Sequence, residues 1–419
     1  MSEKGKKVLI IGNGFDLAHG LPTKYINFLE FCVRVDLLWL IGIDESNKPY
    51  SIEEFRQGWI DKWDMEDSIK DYIVNAFQNR KLDGASSPQD VKIEDDTLIE
   101  LYNLIHHNVW FRYFNNIYNN KCIKGENWID FESEIRYVIQ MVDETTDDLS
   151  SNLVETFQAL QEKKDVKLNF FITCFARRIK KKSVKECNIN VRKFREIAYD
   201  DLEKIIRALE IYLGKFVDKI QVDKRVPEII NLKPDYVINF NYTNTYERLY
   251  DNAPVFHIHG NCDVNQPIEK NNMVLGIDEY WDKDARDYHT NFTIFKKFAQ
   301  RIQKRTGIEN HRYIKEIDKI YENNKERWTG NVDINVTHPD GVSYVYIFGH
   351  SLDVTDKDIL SGLIGRDSTS VTVYCYDKGT EGELIANTIK LISEKRLLEK
   401  ANNVPTKLDY VIQQKEIVS

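Results

Sequence analysis

The residues best suited to chemistry in this 419-residue chain directly follow short apolar runs. They are glycines, asparagines, histidines and small hydroxyl residues, types that turn a backbone, orient a ligand or transfer a proton. The segments are Gly12-Asn13-Gly14, Asn241-Tyr242-Thr243-Asn244, His259-Gly260, Gly276-Ile277-Asp278, Gly349-His350-Ser351 and Tyr376-Asp377. Each segment alone has a structural explanation, because Asn caps helices, Gly turns corners and an isolated His is usually packed. Gathered at one edge of one sheet, they would form a ligand site.

The first of these segments organises the chain. Val8-Leu9-Ile10-Ile11 is a continuous apolar run that enters Gly12-Asn13-Gly14, which predicts a strand buried on both faces and then a tight turn. Gly20-Leu21-Pro22-Thr23 is a second break, and Thr23 is expected to cap the helix that follows. Strand, glycine turn and helix start together suit a phosphate or a ribose. An ordinary turn is the alternative, because Leu17 stands where the full dinucleotide fingerprint has its third glycine.

The elements that must position these segments are predicted to form one sheet. Further strands are expected at 236–240, 255–259, 273–275, 344–348 and 371–376, with helices between several of them. The strand at 8–11 has no partner nearby in sequence, so it should be central in a Rossmann-like, mostly parallel α/β sheet. The predicted organisation is a nucleotide-binding core at 1–29 and 225–395, a large helical insertion at 30–224 and a C-terminal tail at 396–419.

The insertion carries two amphipathic patterns and one unusual carboxylate. Apolar residues at helical spacing predict a helix over 201–220 and another that begins with Trp128 and Phe131. Glu132 falls on the second apolar stripe, where an unpaired carboxylate would be costly. We expect an ion pair with a neighbouring Lys or Arg, and a carboxylate that reaches into a site is the alternative. The polar segment 81–96 is expected to be a loose loop.

Composition restricts the function classes. The net charge of −9 argues against a general nucleic-acid binder. The basic run 177–185 follows several phenylalanines and faintly resembles a nucleic-acid surface, but a solvated helix face is the expected role. The longest apolar run, 37–43, is too short to cross a bilayer, and the N-terminus lacks the apolar segment of a signal peptide. Scattered cysteines suit buried thiols in a reducing cytoplasm, with no zinc ribbon and no metal expected.

Several of these motifs resemble known families. Gly12-Asn13-Gly14-Phe15-Asp16 with Gly20-Leu21-Pro22 resembles the sirtuin pattern G-A-G-x-S followed by G-I-P. The run from Ile238 to Glu247, the pair His259-Gly260 and the segment Gly349-His350-Ser351-Leu352 resemble further sirtuin motifs. N-G-F-D-L-A-H-G-L-P-T-K-Y, N-F-N-Y-T-N-T-Y, H-I-H-G and G-H-S-L together are more closely similar to the bacteriophage abortive-infection AbiH family, from residue 8 to about 377.

The resemblance implies a fold that binds NAD, without a metal. Asn241 takes the place of the asparagine that positions water at the nicotinamide ribose, and His259 that of the histidine that acts as a base near the ribose hydroxyls. Gly12, Asn13 and Gly14 would meet the pyrophosphate, and Asp16 would accept ribose hydroxyls. The other residues expected to line the nucleotide site are Phe15, Pro22, Thr23, Tyr242, Thr243, Gly260, Asp278, Gly349, His350, Ser351 and Asp377.

The leading hypothesis is a phage-defence effector that binds NAD and hydrolyses it to nicotinamide and ADP-ribose. A non-catalytic module that binds or senses NAD or ADP-ribose is the alternative, and a nucleic-acid-directed effector that uses the basic run is a third. Asp16 and Thr243 depart from the sirtuin residues, and the helical insertion argues against a protein deacylase. The expected setting is cytoplasmic, with an unknown phage-derived trigger, no membrane partner and homo-oligomer formation left open.

Overall fold

The computed structural model describes residues 4–40, 50–81, 92–123, 128–146, 148–250, 253–277, 290–307, 310–328, 341–403 and 406–414. The chain divides into two compact units. The first unit consists of Met1–Leu21, Gln221–Cys262 and Arg301–Ser419, and the second of Pro22–Ile220 and Asp263–Gln300. Most of the predicted insertion therefore lies in the second unit, which also takes a later segment of the chain.

The elements are numbered in chain order. The strands are β1 (Lys7–Ile11), β2 (Tyr236–Asn239), β3 (Val255–His257), β4 (Ser343–Phe348), β5 (Thr369–Cys375) and β6 (Leu408–Ile412). The α-helices are α1 (Asn13–Ala18), α2 (Tyr25–Leu40), α3 (Ile52–Phe55), α4 (Asp67–Gln78), α5 (Asp96–Ile105), α6 (Val109–Ile123), α7 (Phe131–Thr145), α8 (Leu153–Glu162), α9 (Val166–Arg178), α10 (Val191–Ile211), α11 (Pro227–Ile230), α12 (Thr245–Leu249), α13 (Lys297–Lys304), α14 (Asn310–Trp328), α15 (Lys357–Ile364), α16 (Lys378–Ile392) and α17 (Glu394–Ala401).

The first unit is built on a six-stranded sheet in the order β3-β2-β1-β4-β5-β6, with every described pairing parallel. This is the strand order of a doubly wound Rossmann sheet. The predicted α/β fold class and the central position of β1 are confirmed. Val8 pairs with Tyr236 of β2 on one side and with Val345 of β4 on the other.

Both faces of β1 are buried, which explains its unbroken apolar run. Val8 and Ile10 belong to a core cluster that also takes buried residues of α14, α15, α16 and α17. Leu9 and Ile11 point the other way, into a cluster with Phe15 of α1 and residues of α11 and α12. The alternation follows from the two-residue period of a strand.

The C-terminal segment predicted as a tail supplies the last strand of the sheet. β6 pairs in parallel with β5 from Val371↔Leu408 to Cys375↔Ile412. Leu408 is 2% exposed and lies in the core cluster, while the phenol of Tyr410 donates a hydrogen bond of 2.8 Å to Thr388 Oγ1 of α16. The short, partly exposed pattern of β6 concealed it from sequence analysis, because only one of its residues is fully buried.

The second unit is helical in most of its described residues, as predicted. The helix expected over 201–220 is the second half of α10, which continues as a π-helical turn at Tyr212–Phe216. Phe131 begins α7 and stacks on Phe114 with ring centroids 4.1 Å apart, but Trp128 precedes the helix and is 58% exposed. Of the loop expected at 81–96, residues 82–91 lie outside the described residues. No helix in the described ranges combines the length and apolarity needed to cross a bilayer.

The strand expected at 273–275 is wrong. Met273, Val274 and Leu275 are buried in the second unit without joining a sheet. The carboxamide of Gln300 accepts a hydrogen bond of 3.1 Å from the Leu275 N–H and donates one of 3.0 Å to the Leu275 carbonyl. The Gln300 side chain thus forms the hydrogen bonds with the Leu275 N–H and carbonyl that a neighbouring strand would otherwise form. A buried apolar segment can therefore satisfy its backbone groups outside a sheet.

Candidate functional site

The loops after β1 and β4 begin at the switch point of the sheet, where the chain leaves neighbouring strands in opposite directions. They hold each other through the backbone. The N–H of Gly12 donates to the carbonyl of Phe348 at 3.2 Å, and the N–H of Gly14 donates to the carbonyl of Gly349 at 2.8 Å. The predicted segments that follow β1 and β4 therefore meet at the carboxyl edge of the sheet.

The glycines of these loops are required by that contact. A Cβ on Gly14 would lie 2.7 Å from the Gly349 Cα, and a Cβ on Gly12 would lie 2.8 Å from the His350 Cα. Gly349 has a φ of +67°, and a Cβ there would lie 2.2 Å from the backbone nitrogen of Phe15. The absence of a Cβ at these glycines therefore permits close packing of the two loops.

Asn241 connects the loop after β2 to the same edge. Its carboxamide donates a hydrogen bond of 3.0 Å to the carbonyl of Gly12. Its own N–H donates to Asn239 Oδ1 at 2.8 Å, so the last residue of β2 holds the start of the loop. Thr243, two residues on, donates from its hydroxyl to Asp16 Oδ2 at 2.7 Å. Asn241 and Asp16, two of the residues expected to act at a ribose, are thus buried and hydrogen-bonded at the ends of β1 and β2.

His259 lies beside a carboxylate that sequence analysis missed. His259 Nε2 is 3.0 Å from Asp356 Oδ1, and His350 Nε2 is 3.5 Å from Asp356 Oδ2. Asp356 ends the 3₁₀ turn Val354–Asp356, which follows the loop after β4. The ring of Phe240 stands against both imidazoles, with centroids 5.6 Å from His259 and 4.3 Å from His350. The pattern G-H-S-L-D-V-T-D contained Asp356, but nothing in its spacing singled this aspartate out from Asp353 or Asp358.

The neighbouring His257 has two acceptors. Its Nδ1 is 3.0 Å from the carbonyl of Asn241, and its Nε2 is 2.8 Å from Glu247 Oε1 of α12. Both contacts are hydrogen bonds only when the imidazole carries both protons. A cationic His257 would hold the backbone of Asn241 in place from the side of β3.

A sequence model of the family described as Bacteriophage abortive infection AbiH matches residues 8–376. The chain belongs to the AbiH family. The match begins in β1, ends one residue after β5 and contains the motif segments described above except Asp377. Membership assigns the protein a role in phage abortive infection. Comparisons with curated proteins and with solved structures gave no match, and the sirtuin resemblance stays a prediction.

Other predicted site residues of this AbiH protein have structural partners in the first unit. The ring of Phe15 lies in the hydrophobic core, and Asp377 caps α16 by accepting from the N–H and the hydroxyl of Thr380, both at 2.8 Å. The carbonyl of Tyr242 accepts from the N–H of Cys262 at 2.7 Å. The exposed Ser351 accepts from Asn387 through its carbonyl at 3.0 Å.

The remaining predicted residues differ in their surroundings. Gly260 is buried with a φ of +78°, and Asn13 is exposed at the start of α1. Pro22 and Thr23 belong to the second unit, where the Pro22 carbonyl accepts from the Tyr212 hydroxyl at 2.7 Å. Asp278 lies outside the described residues.

His19, at the end of α1, is a buried neutral histidine of the first unit. Its Nδ1 donates to the carbonyl of Phe15 at 2.7 Å, and its Nε2 lies 3.1 Å from the Tyr250 hydroxyl. That hydroxyl accepts from the N–H of Val226 at 2.8 Å, which leaves its proton for His19. Burial lowers the pKa of His19 below its ordinary value.

Two charged features of the second unit were predicted from sequence. Glu132 forms an ion pair of 2.8 Å with Lys297, whose side chain is 2% exposed, so the expected ion pair is confirmed. In the basic run, Arg178 donates to the buried Asp201 from Nε at 2.8 Å. Arg178 of the basic run therefore has a structural role. Lys180, Lys181 and Lys182 are exposed, as expected of a solvated surface.

Proposed function

We propose that this AbiH protein binds NAD at the carboxyl edge of β1, β2 and β4 and hydrolyses it to nicotinamide and ADP-ribose. The observation that carries the proposal is the position of Asn241 and His259. Both follow strands of a sheet with the Rossmann order, and both lie at its carboxyl edge with the loops after β1 and β4. Nucleotides bind at such edges in doubly wound sheets.

The proposed reaction requires two functional groups from the protein. The bond between nicotinamide and ribose breaks with its electron pair going to the pyridine nitrogen, which leaves as neutral nicotinamide. Water adds to the oxocarbenium-like ribose carbon and loses one proton. An asparagine that orients the water and a histidine that takes up the proton are sufficient groups, because the leaving group needs no acid. Asn241 and His259 have these roles in the proposal.

A second candidate function is binding or sensing without turnover. It is favoured by the burial of the two proposed catalytic side chains. Asn241 is 7% exposed and His259 is 5% exposed, and the Asn241 carboxamide already donates a hydrogen bond to the Gly12 carbonyl. A nucleotide that reached these groups would have to displace protein contacts. A protein that responds to a phage-derived trigger by opening this edge would be inactive before that trigger.

The deciding experiment is nicotinamide release from NAD by the purified protein, and by cells in which its toxicity has been induced. Asn241→Ala and His259→Ala are each expected to lower the rate on the order of a hundredfold or more, because each removes a group that acts at the ribose. Asp16→Asn is expected to raise KM more than it lowers kcat, because the lost contact is to ribose hydroxyls. Thermal melts check that each variant is folded.

Asn120→Ala and His107→Ala are matched controls, because both residues are exposed in the second unit. They should retain the wild-type rate. Wild-type protein that binds NAD but releases no nicotinamide, even in cells under induced toxicity, would favour the sensing function. Full activity of Asn241→Ala would contradict the proposed role of that residue.

A further inference from the structure

We propose that Asp356 is a positioning residue that holds His259 with its proton on Nε2, so that Nδ1 is the basic nitrogen of the site. The inference deepens the proposed function and rests on it for the identity of the substrate. The contacts that support it lie within the first unit, between the turn at Val354–Asp356 and the residues that follow β3 and β4.

The tautomer of His350 follows from its backbone neighbour. The N–H of Leu352 lies 2.9 Å from His350 Nδ1, and a backbone N–H only donates. Nδ1 of His350 is therefore an acceptor, and the ring proton is on Nε2, which faces Asp356 Oδ2 at 3.5 Å. Leu352 has a φ of +55°, a left-handed conformation that is unfavourable for leucine and that the surrounding packing maintains.

Asp356 accordingly faces two imidazoles with its two oxygens. Oδ2 faces the N–H of His350, and Oδ1 is 3.0 Å from His259 Nε2, which donates to the ionised carboxylate. In a neutral imidazole whose proton is on Nε2, the lone pair that accepts a proton is on Nδ1. The carboxylate also stabilises the imidazolium that forms when Nδ1 takes up a proton.

Other groups near the turn are engaged differently. Asp358 accepts from Arg301 Nη2 at 2.6 Å and is half exposed, and Asp353 caps its own turn by accepting from the Thr355 N–H. Phe240 presents an apolar ring to both imidazoles. Asp356 is thus the aspartate of this segment that contacts His259.

The first test reads the tautomers directly. Nitrogen-15 NMR of the full chain labelled in histidine, with His259→Gln and His350→Gln used for assignment, should show His259 and His350 protonated on Nε2 at neutral pH. Asp356→Asn should change the His259 signals and leave those of His107 in place. A wild-type His259 protonated on Nδ1 would overturn the proposal, whatever the substrate is.

The second test uses the proposed reaction. Asp356→Asn is expected to lower kcat on the order of a hundredfold with KM within about twofold, because it removes the charge that orients and stabilises the base. The acid limb of the kcat/KM profile should shift to lower pH, because removing the carboxylate removes the charge that stabilises protonated His259. The charged and titratable groups at this position include Asp356, which contacts His259 directly, and His350, which contacts the same carboxylate. Asp358→Asn, the matched control two residues away, should retain wild-type kcat and pH profile.

The outcomes separate this inference from the proposed function. Wild-type tautomers as expected together with no NAD cleavage would contradict the substrate and leave the position of the base established. NAD cleavage with an unshifted acid limb in folded Asp356→Asn would contradict the role of Asp356 and leave the activity established. A purely structural aspartate would lower the melting temperature without moving the acid limb.

Discussion

Histidines at the carboxyl edge of the first unit are distinguished at the residue scale by their partners. His257 faces two acceptors, whereas Nδ1 of His350 accepts from a backbone N–H, so the two imidazoles have different hydrogen-bonding roles. His259 faces the carboxylate of Asp356. The same residue type therefore makes three different sets of contacts within one edge of the sheet.

His19 makes the stability of the first unit depend on pH. Burial lowers its pKa in the folded protein, while in the unfolded chain the value is about 6.5. As pH falls below that value, the unfolded chain takes up a proton that the folded protein resists, so the free energy of unfolding decreases. We expect the melting temperature to fall between pH 7.5 and pH 5.5 (about one pH unit on either side of the ordinary pKa), and part of that fall to be absent from His19→Asn.

His19→Asn is a suitable variant because an asparagine side chain can replace the Nδ1 donor to the Phe15 carbonyl without titrating. Chemical unfolding of both proteins at a series of pH values measures the difference. The same slope of stability against pH in wild type and His19→Asn would contradict the prediction.

At the scale of elements, the close contact between the loops after β1 and β4 restricts which residues can occupy these loops. The start of α1 and the loop after β4 approach so closely that neither accepts a side chain at Gly14 or Gly349. Gly349→Ala combines a left-handed backbone with a clash against the Phe15 nitrogen, so we expect destabilisation on the order of 3 kcal/mol. The free energy of unfolding from urea titration is the measurement.

Gly382→Ala is the matched control for that substitution. Gly382 lies within α16, and a Cβ there meets nothing within 4 Å. Alanine should therefore stabilise the helix by about 0.5–1 kcal/mol, because it loses less backbone entropy than glycine. Equal effects of the two substitutions would show that the loop contact is not a constraint on the fold.

At the scale of the whole molecule, the sheet unites residues from both ends of the chain. β1 comes from the first residues and β6 from 408–412, and both belong to the first unit. Removing residues 404–419 should destabilise this unit by several kcal/mol, because it deletes the β5–β6 pairing and the buried Leu408 side chain, worth about 2 kcal/mol by itself. Thermal melts of the shortened protein test this expectation.

Single substitutions in β6 serve as its controls. Leu408→Ala should cost about 2–4 kcal/mol, because Leu408 is 2% exposed, whereas Val411→Ala at a residue that is 37% exposed should cost less than about 1 kcal/mol. A shortened protein as stable as the full chain would mean that β6 adds nothing to the sheet.

The sequence alone determined the class of fold, the central strand and most of the segments at its carboxyl edge. These features are local: an apolar run such as 8–11 records burial on both faces, and a glycine turn records where the strand ends. The strand prediction at 273–275 failed because burial of a short segment does not specify whether its partner is a strand or a side chain such as Gln300. β6 was missed because only one of its residues is fully buried, so its apolar pattern is weak.

Tertiary structure decided which polar groups meet. Asp356 and His259 are 97 residues apart in the chain, and only the adjacent placement of the turn after β4 and the end of β3 makes them partners. The roles of Gly12 and Gly14 likewise depend on Gly349, which no local pattern connects to them. Hydrogen bonds and packing contacts between distant segments are set by the three-dimensional positions of their backbones, so the partners of a candidate base could be read only from the folded chain.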